Sequence, residues 1–333
     1  MIEKTLTQKQ LVSFIKKVAK SNTIPIIDNH FLVKDGKMIF TNLDNTVIFP
    51  TDLEDGIYIT IGNDFVKVDE GVDDFPSVPE IEKNLLRVDI SELKSFFKQA
   101  LSFSGKDELR PVLTGIHLFS DGDKVIIEAT DAYIAFRKAL EIKTEPFDII
   151  LNPGQVLFSL YNKSNNNLFL EIEKTDTTNS ILSNGEYEVI GRNIDGKYPM
   201  VKNAFSIEQK QSWIVDKKVF QAAIKEVEPY SHQGTKALSI FPDYENNKLI
   251  ISAEDIDRKV EKSVSVATTF NDNPFSVDLD ETTLIMPILF ANEALYGLNS
   301  KLLTTVLNNI DSVDVVIGVT ARNRALTIER TNK

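Results

Sequence analysis

One succession of segments occurs three times along the chain, and this repetition restricts the fold more than any other feature. Each copy begins with an amphipathic stretch of helical periodicity and continues with two strands joined by a short turn. The amphipathic stretches are QLVSFIKKVAKS at 10–21, ELKSFFKQALSFS at 92–104 and KVFQAAIKEVEPYS at 218–231. A one-sided apolar stripe allows a helix to pack on one face of a sheet. The repetition predicts an α+β protein made of helix-plus-antiparallel-sheet modules.

The turns of the predicted hairpins support this interpretation. They lie at 34–37, 120–123 and 244–247, with Asp-Gly in the first two copies and Asn-Asn in the third. Asp, Asn and Gly tolerate the positive φ that tight hairpin turns require. In the second copy, RPVLTGIHLFS at 110–120 is predicted to form one continuous strand before its turn.

The copies differ in length, which gives the predicted domain boundaries. The second and third copies continue with another predicted helix, at 152–162 and 299–310, whereas the first copy has none. The stretches at 73–79 and 196–203 are predicted to be linkers, because Pro, Gly and Asp interrupt the periodic pattern there. The predicted domains are therefore 1–82, 83–203 and 204–333.

The composition excludes several classes of protein. The chain contains no cysteine, so disulfide scaffolds, thiolate metal sites and cysteine nucleophiles are excluded. It has no apolar run of roughly 18 residues or more, and its first residues lack the apolar core of a signal peptide. We therefore expect a cytoplasmic protein that does not associate with membranes. The net charge of −12 argues against a surface covered with phosphate-binding groups, but an acidic protein can still present one basic face.

The sequence contains no motif typical of an enzyme. His30, His117 and His232 fall in separate copies, and no zinc-protease motif, glycine-rich phosphate loop or nucleophile elbow is present. Asp131 and Asp195 lie in turn-like contexts, where they are predicted to cap turns. We predict no catalytic residue, metal or cofactor. A hydrolase that uses surface carboxylates is the competing hypothesis from another functional class.

In the order and spacing of its segments, the sequence resembles the bacterial DNA polymerase III β subunit, the sliding clamp family. The resemblance is carried by TIPIIDNHFLVKDGKMIFTNLD from 23, ELRPVLTGIHL from 108, EATDAYIAFRK from 128, DGKYP from 195 and LYGLNSKLLTTVLNNIDSVDVVIG from 295. It implies the DNA-clamp fold, with repeated modules in three domains and two chains that close into a ring around duplex DNA. Three departures stand out. The first domain lacks the second helix, the chain ends at TIERTNK without the family's final apolar strand, and the segment 130–134 is one residue shorter and holds Tyr133 in place of His-Arg.

The resemblance assigns two sets of binding residues. In a ring whose helices face inward, lysines opposite the apolar stripes would contact phosphates without reading bases. The residues predicted to contact DNA are Lys16, Lys17, Lys20, Lys94, Lys98, Arg110, Lys218 and Lys225. The alternative is that these cations are solvated and have no ligand.

The second set would form an apolar groove between the second and third domains, where the family binds short peptides of polymerases, the clamp loader and repair proteins. The residues predicted for this groove are Leu113, Thr130, Tyr133, Ile134, Pro199 and Ala204. The alternative is that Leu113 and Ile134 are ordinary core residues.

These expectations together predict a homodimeric DNA sliding clamp. It would encircle duplex DNA, tether DNA polymerase and be opened by an ATP-driven clamp loader. The competing prediction is a non-encircling adaptor or decoy that binds the peptides of clamp partners.

Overall fold

The structure, a computed structural model, describes the residues 30–69, 71, 73, 75–79, 85–161, 167–174, 176–185, 187–202, 211–271, 283–286, 290–292, 295–310, 312–319 and 326–330. The chain divides into two compact units. The first consists of Met1–Leu101, Asp107–Ile127 and Leu140–Tyr198, and the second of Ser102–Lys106, Glu128–Ala139 and Pro199–Lys333. The division into three domains at 82 and 203 stays a prediction.

The regular elements of the described residues are numbered in chain order. The strands are β1 (His30–Lys34), β2 (Lys37–Thr41), β3 (Asn45–Pro50), β4 (Gly56–Ile61), β5 (Asp64–Val68), β6 (Leu85–Asp89), β7 (Ile116–Ser120), β8 (Val125–Thr130), β9 (Ala135–Leu140), β10 (Phe147–Leu151), β11 (Phe169–Glu173), β12 (Asn179–Ser183), β13 (Glu188–Arg192), β14 (Gln211–Asp216), β15 (Ala237–Asp243), β16 (Lys248–Asp255), β17 (Val260–Asn271), β18 (Thr283–Met286), β19 (Phe290–Asn292), β20 (Leu295–Asn299), β21 (Asp314–Val319) and β22 (Leu326–Arg330). The α-helices are α1 (Lys94–Phe103), α2 (Pro111–Thr114), α3 (Pro153–Tyr161), α4 (Lys217–Val227) and α5 (Ser300–Asn308). Short 3-10 turns lie at Ser91–Leu93 and Glu228–Tyr230.

The first unit is built on a nine-stranded sheet with the order β5-β4-β1-β2-β3-β13-β12-β11-β6. Within the described residues, the neighbouring strands of this sheet pair antiparallel. The pair β3–β13, with Val47 opposite Val189, joins strands of the first sequence copy to strands of the second. Helix α3 packs on β12 and β13. The strand β12 was not predicted from the sequence.

The predicted hairpin turns are confirmed. In the first hairpin, Asp35 has φ 53° and Gly36 has φ 69°, the left-handed conformations that a two-residue turn requires. The other hairpins connect β7 to β8 and β15 to β16, with Gly122 at φ 113° and Asn247 at φ 52°. In β15 and β16 buried and more exposed residues alternate, as expected when the turn fixes the register, whereas β1, β2 and β8 have consecutive buried residues and are covered on both faces.

The stretch predicted as the first linker contributes to a core instead. Phe75 is 7% exposed and packs with Leu32, Ile39 and Ile57 of the first unit. Burial of the Phe75 ring contributes about 1.5–3 kcal/mol, which offsets part of the conformational entropy lost when this acidic, proline-containing stretch is ordered. The segment is therefore anchored at this ring.

The second unit contains ten neighbouring strands in the order β9-β18-β22-β21-β14-β17-β16-β15-β20-β19. Helices α4 and α5 contact each other, and α4 also packs on β14, β16 and β17. Its stripe of Phe220, Ala223, Ile224 and Val227 is buried, as the sequence predicts. Trp213 of β14 is fully buried, with the ring of Phe270 edge-on at 6.4 Å between centroids.

Two local features correct or extend the sequence analysis. The segment 110–120 is not one continuous strand, because Pro111–Thr114 forms the short helix α2 before β7 begins at Ile116. Proline at the first helical position has a φ already suited to a helix and needs no hydrogen bond there. In β8 and β9, the carboxylate of Glu128 and the guanidinium of Arg137 form an ion pair although both side chains are buried.

Candidate nucleic-acid and partner-peptide interfaces

Five of the eight predicted DNA-contacting residues fall on two described helices and one loop. Lys16, Lys17 and Lys20 lie outside the described residues. Lys94 and Lys98 are on α1, Lys218 and Lys225 are on α4, and Arg110 immediately precedes α2.

Helix α1 exposes one of its two predicted lysines more than the other. Leu93, Phe97 and Ala100 are fully buried on one side of this segment, while Lys98 is exposed on the other. Lys94 is only half-exposed, and this burial lowers its pKa because desolvation disfavours the ammonium form. Lys98 is therefore the better placed of the two to contact a phosphate.

Helix α4 exposes both of its predicted lysines. The carboxylate of Asp216 accepts a hydrogen bond from the Val219 backbone N–H at 2.8 Å, which fixes the beginning of the helix. Lys218 and Lys225 are exposed, and their spacing of seven residues places them on one face, two turns apart. This face lies opposite the buried stripe, as predicted.

The sequence analysis missed a further cation in the second unit. Lys301 is exposed in the first turn of α5, the helix that packs beside α4. The amide of Gln221 donates a hydrogen bond to the Asn308 side-chain oxygen at 3.0 Å, which links the two helices directly. The signal for Lys301 was present, because the segment 299–310 was already predicted to be the second helix of the third copy. Three exposed lysines thus belong to one pair of adjacent helices.

Arg110 is tied to its own loop. Its guanidinium Nε lies 2.9 Å from the Asp107 carboxylate, and its backbone N–H donates to the Asp107 carbonyl. Hydrogen bonds from the Leu109 backbone N–H and from the Arg110 side chain hold the pKa of Asp107 below its ordinary value. A phosphate at Arg110 would compete with this carboxylate, so Arg110 is a weaker candidate than the lysines of α4.

The segment Thr130–Ile134 forms a tight, hydrogen-bonded turn in the second unit. The Asp131 carboxylate accepts hydrogen bonds from the backbone N–H groups of Tyr133 and Ile134, both at 2.8 Å, which confirms its predicted capping role. The Thr130 hydroxyl donates to the Ile134 carbonyl at 2.7 Å. These bonds hold Ala132 at φ 76°, a left-handed conformation that costs a non-glycine residue about 1–2 kcal/mol.

The other predicted groove residues have contrasting exposures. Tyr133 is 57% exposed at the tip of this turn, whereas Ile134 is buried beneath it. Leu113 is buried in α2 of the first unit, and Pro199 is exposed at the start of the second. Ala204 lies outside the described residues. Tyr133 and Pro199 are thus available to a ligand, whereas Leu113 and Ile134 are core residues in their own units.

Neither set of residues has the features of a metal centre or a membrane anchor. Among the described residues, no three His, Asp or Glu side chains come together as the ligands of a metal ion would. No helix in the part of the chain that the structure describes is long and apolar enough to cross a membrane.

Comparison with known sequences gives partial matches of one kind. No family model matches the chain. It is 26% identical over 165 residues to the beta sliding clamp of Bacillus subtilis, which covers 49% of this chain and 44% of the relative. The beta sliding clamp of Staphylococcus epidermidis is 30% identical over 137 residues, which covers 40% of this chain and 36% of the relative. The matched region spans less than half the length of these relatives.

Comparison with solved structures covers nearly the whole chain. The DNA polymerase sliding clamp of Pseudomonas aeruginosa superposes with a TM-score of 0.77 at 15% identity, over 98% of this chain and 95% of that one. The DNA polymerase III beta subunit of Thermotoga maritima gives a TM-score of 0.76 at 14% identity, over 98% and 97% of the two chains. The chain has the DNA-clamp fold. The predicted fold class and the predicted resemblance to the bacterial β subunit are confirmed.

Within the DNA-clamp fold, the two sets of candidate residues lie on different kinds of element. The exposed lysines are on helices, where side chains at one face form a row, and Tyr133 is at a rigid turn between two strands. A row of ammonium groups on long stems suits a non-specific polyanion, and an aromatic ring on a fixed turn suits an apolar anchor of a peptide.

Proposed function

We propose that this chain is a DNA sliding clamp that acts as a processivity factor. Two copies would close into a ring around duplex DNA, hold a DNA polymerase on its template and be opened by an ATP-driven loader. The protein would act in the cytoplasm and catalyse no reaction itself. The observation that carries the proposal is the exposure of Lys98, Lys218 and Lys225 opposite buried helical stripes, within the DNA-clamp fold.

The charge distribution supports this proposal. The chain carries a net charge of −12, so DNA is repelled by most of its surface. Lysines on helices contact phosphates without sequence preference, and such contacts are strongly dependent on salt. Weak contacts suit a protein that slides along DNA. A closed ring would stay on the duplex because it encircles the DNA, so strong contacts are not needed to prevent dissociation.

The DNA-facing assignment is tested by charge reversal. We expect Lys98→Glu, Lys218→Glu and Lys225→Glu, combined in one variant, to abolish retention on nicked circular DNA after loading. Lys94 is left unchanged because it is half-buried, and its reversal would also disturb folding. The matched control reverses Lys37, Lys143 and Lys248, which are exposed outside the helices. Equal retention by the two variants would show that the helices do not face DNA.

Ring formation is tested separately by light scattering after size exclusion. A particle of about twice the 37.5 kDa chain mass is expected for the ring. A strict monomer at micromolar concentration would exclude the ring and favour the non-encircling adaptor. On circular DNA, linearisation should release a ring quickly, whereas a protein bound by contacts alone would be retained equally on both forms.

Partner binding is proposed for Tyr133 and Pro199, which are both exposed in the second unit, with Thr130 and Ile134 as buried supports of Tyr133. The probe is a displayed library of pentapeptides with two apolar anchors, selected against the wild-type chain. Tyr133→Ala should weaken the selected peptides by at least roughly tenfold, since aromatic anchors at binding sites often contribute 2 kcal/mol or more. Phe241→Ala is the control, because Phe241 is also partly exposed but lies on β15. Unchanged peptide binding by Tyr133→Ala would show that the Thr130–Ile134 turn is not part of the peptide-binding groove.

A further inference from the structure

The third strand of each sequence copy stands where one copy is joined to the next. In the first sequence copy this strand is β3, which pairs with β2 on one side and with β13 of the second sequence copy on the other. In the second sequence copy it is β9, which pairs with β18 of the third. Both junctions are antiparallel and begin at the first residue of the strand, Asn45 in β3 and Ala135 in β9. The chain thus repeats one way of joining a copy to the next.

The equivalent strand of the third sequence copy is β17, and most of one side of it has no such partner. Its residues 260–267 pair with β16. On the other side, β14 pairs only with the residues 268–271. The edge 260–267 of β17 is therefore open within the part of the chain that the structure describes. An open strand edge presents N–H and C=O groups that can pair with another strand.

A second open edge lies at one end of the sheet of the first unit. Strand β5 is outermost in this nine-stranded sheet and pairs, among the described residues, with β4 alone. Val66 of β5 is 42% exposed, and Asp64 and Lys67 are exposed as well. This edge is thus also accessible to another strand.

The place of β5 in the first sequence copy matches that of β13 in the second. Tyr198 and Pro199 follow the end of β13 by six and seven residues, and Phe75 and Pro76 follow the end of β5 by seven and eight. Phe75 and Tyr198 are each 7% exposed. Both strands therefore lead to the same buried aromatic residue followed by proline. Since β13 pairs with β3 and β18 with β9, β5 is the counterpart left for β17.

We propose that the edge 260–267 of β17 pairs antiparallel with β5 of a second molecule of this protein. The inference rests on the dimer of the proposed function and names the surfaces through which that dimer closes. The contact joins two different surfaces, so two molecules form it twice and close into a ring. Main-chain hydrogen bonds would supply most of the affinity, as they do when a strand is added to the edge of a sheet.

The charges of the two strands favour antiparallel pairing. In β5 the acid Asp64 precedes the base Lys67, and in β17 the acid Glu261 precedes the base Lys262. An antiparallel pair brings each acid toward the base of the other strand, whereas a parallel pair would bring acids toward acids and bases toward bases. Both lysines also have an acid within their own chain. The charges therefore select the direction of pairing, and the strand edges supply the affinity.

The register of the β3–β13 junction predicts which residues of β17 and β5 face each other. In that junction Thr46 faces Ile190, and Thr46 is the residue whose pairing with β2 closes the turn. Val260 closes the turn before β17 in the same way. Ile190 precedes the buried aromatic residue by eight positions, as Lys67 does in the first sequence copy. Lys67 therefore faces Val260, and its neighbour in β5 faces the residue after Val260.

The contact is tested with cysteine pairs, because the chain contains no cysteine of its own. Val66→Cys is combined with Val260→Cys, Glu261→Cys or Lys262→Cys, and the full chain is oxidised mildly and analysed on a non-reducing gel. At least one pair should give a covalent dimer of about twice the 37.5 kDa chain mass, because a disulfide needs Cα atoms within about 7 Å. The control combines Val66→Cys with Lys143→Cys, at an exposed position of the first unit, and should give no dimer.

The outcomes separate this inference from the proposed function. A covalent dimer that is not retained on nicked circular DNA after loading would support the contact and overturn the clamp. A dimer in light scattering that none of the three pairs cross-links would overturn the contact and leave the ring. A disulfide within one chain, or a dimer cross-linked by Val66→Cys alone, would also overturn the contact. A strict monomer would overturn both.

An exchange of charges tests the contact without cysteine. Asp64→Lys with Lys67→Glu keeps the net charge and should raise the Kd of the dimer at least roughly threefold, because like charges then meet across the contact. Adding Glu261→Lys and Lys262→Glu makes the charges opposite again and should return the Kd close to that of the wild type. Analytical ultracentrifugation measures all three proteins. A loss without this rescue would overturn the pairing, because the exchange would then act only on the ion pairs within each chain.

Discussion

Helices α1 and α4 begin equivalent sequence copies, yet the structure holds their ends differently. Both bury an apolar stripe centred on a fully buried ring, Phe97 in α1 and Phe220 in α4. Helix α1 follows a 3-10 turn and has no basic residue in its last turn. Helix α4 begins at the Asp216 cap, and the turn that follows it is bound by Arg258 from the β16–β17 hairpin.

The difference between the helices shows which part of a module is set locally. The buried stripe follows from periodicity alone, so the two copies agree in it. The ends depend on side chains supplied from elsewhere, and Arg258 donates to the carbonyls of Pro229 and Ser231 from 29 and 27 residues away. The helices should therefore respond alike to changes in the stripe and differently to changes at the ends.

The largest effect should come from the stripes. Phe97→Ala and Phe220→Ala should each lower the free energy of unfolding by about 3–5 kcal/mol, because each removes a fully buried ring and leaves a cavity. Urea unfolding measures both changes, and Lys98→Ala on the exposed face should change little. A loss below 1 kcal/mol at only one of the rings would show that the stripes are not equivalent.

The second largest effect on stability is expected from the hydrogen bond between Asp255 and Arg258. The Asp255 carboxylate lies 2.6 Å from the Arg258 Nε, and this hydrogen bond lowers the pKa of Asp255 below its ordinary value of 3.8. The folded state thus favours the ionised carboxylate, which contributes stability above pH 3.8 that is lost as the pH falls toward the lowered pKa. Asp255→Asn should lower the urea midpoint at pH 7 and abolish this part of the acid dependence.

The control for Asp255 lies in the same turn. Asp257 is exposed, so Asp257→Asn should leave the unfolding midpoint near that of the wild type at pH 7 and also at a pH below 3.8. If Asp255→Asn unfolds with the wild-type pH profile, Asp255 does not hold Arg258, and the proposed support of α4 fails.

A smaller effect is expected at the beginning of α4. Asp216→Ala removes the acceptor for the Val219 N–H and should cost about 1 kcal/mol of unfolding free energy. Asp216→Asn is the matched control, because asparagine is an equally good cap and should restore most of the loss. Equal losses in the two variants would mean that the charge of Asp216, rather than its cap, stabilises the helix.

The sequence predicted the features that recur in every copy of the module. It missed features that occur in one copy only and contacts between residues that are far apart in the chain. Helical periodicity identified α1, α4 and α5, and turn chemistry identified the hairpins. Helix α2 was missed because its one turn leaves no periodic pattern, and Phe75 was missed because a single ring gives none either. The predicted site follows the same rule. The faces of Lys98, Lys218 and Lys225 follow from periodicity, whereas the Arg110–Asp107 pair depends on a loop conformation.

The smallest effect should separate the two lysines of α1. Burial lowers the pKa of Lys94, so at neutral pH the folded state retains an ammonium ion that it disfavours. Lys94→Met keeps an unbranched side chain without the charge, and it should raise the free energy of unfolding by at most about 0.5 kcal/mol. The gain should be present below the lowered pKa and disappear as the pH rises past the ordinary value of 10.5, where Lys94 is neutral in both states.

Lys98→Met, on the exposed face of the same helix, should give no gain at neutral pH or above pH 10.5. Equal gains from the two substitutions would mean that the loss of positive charge on α1, rather than the burial of Lys94, stabilises the fold.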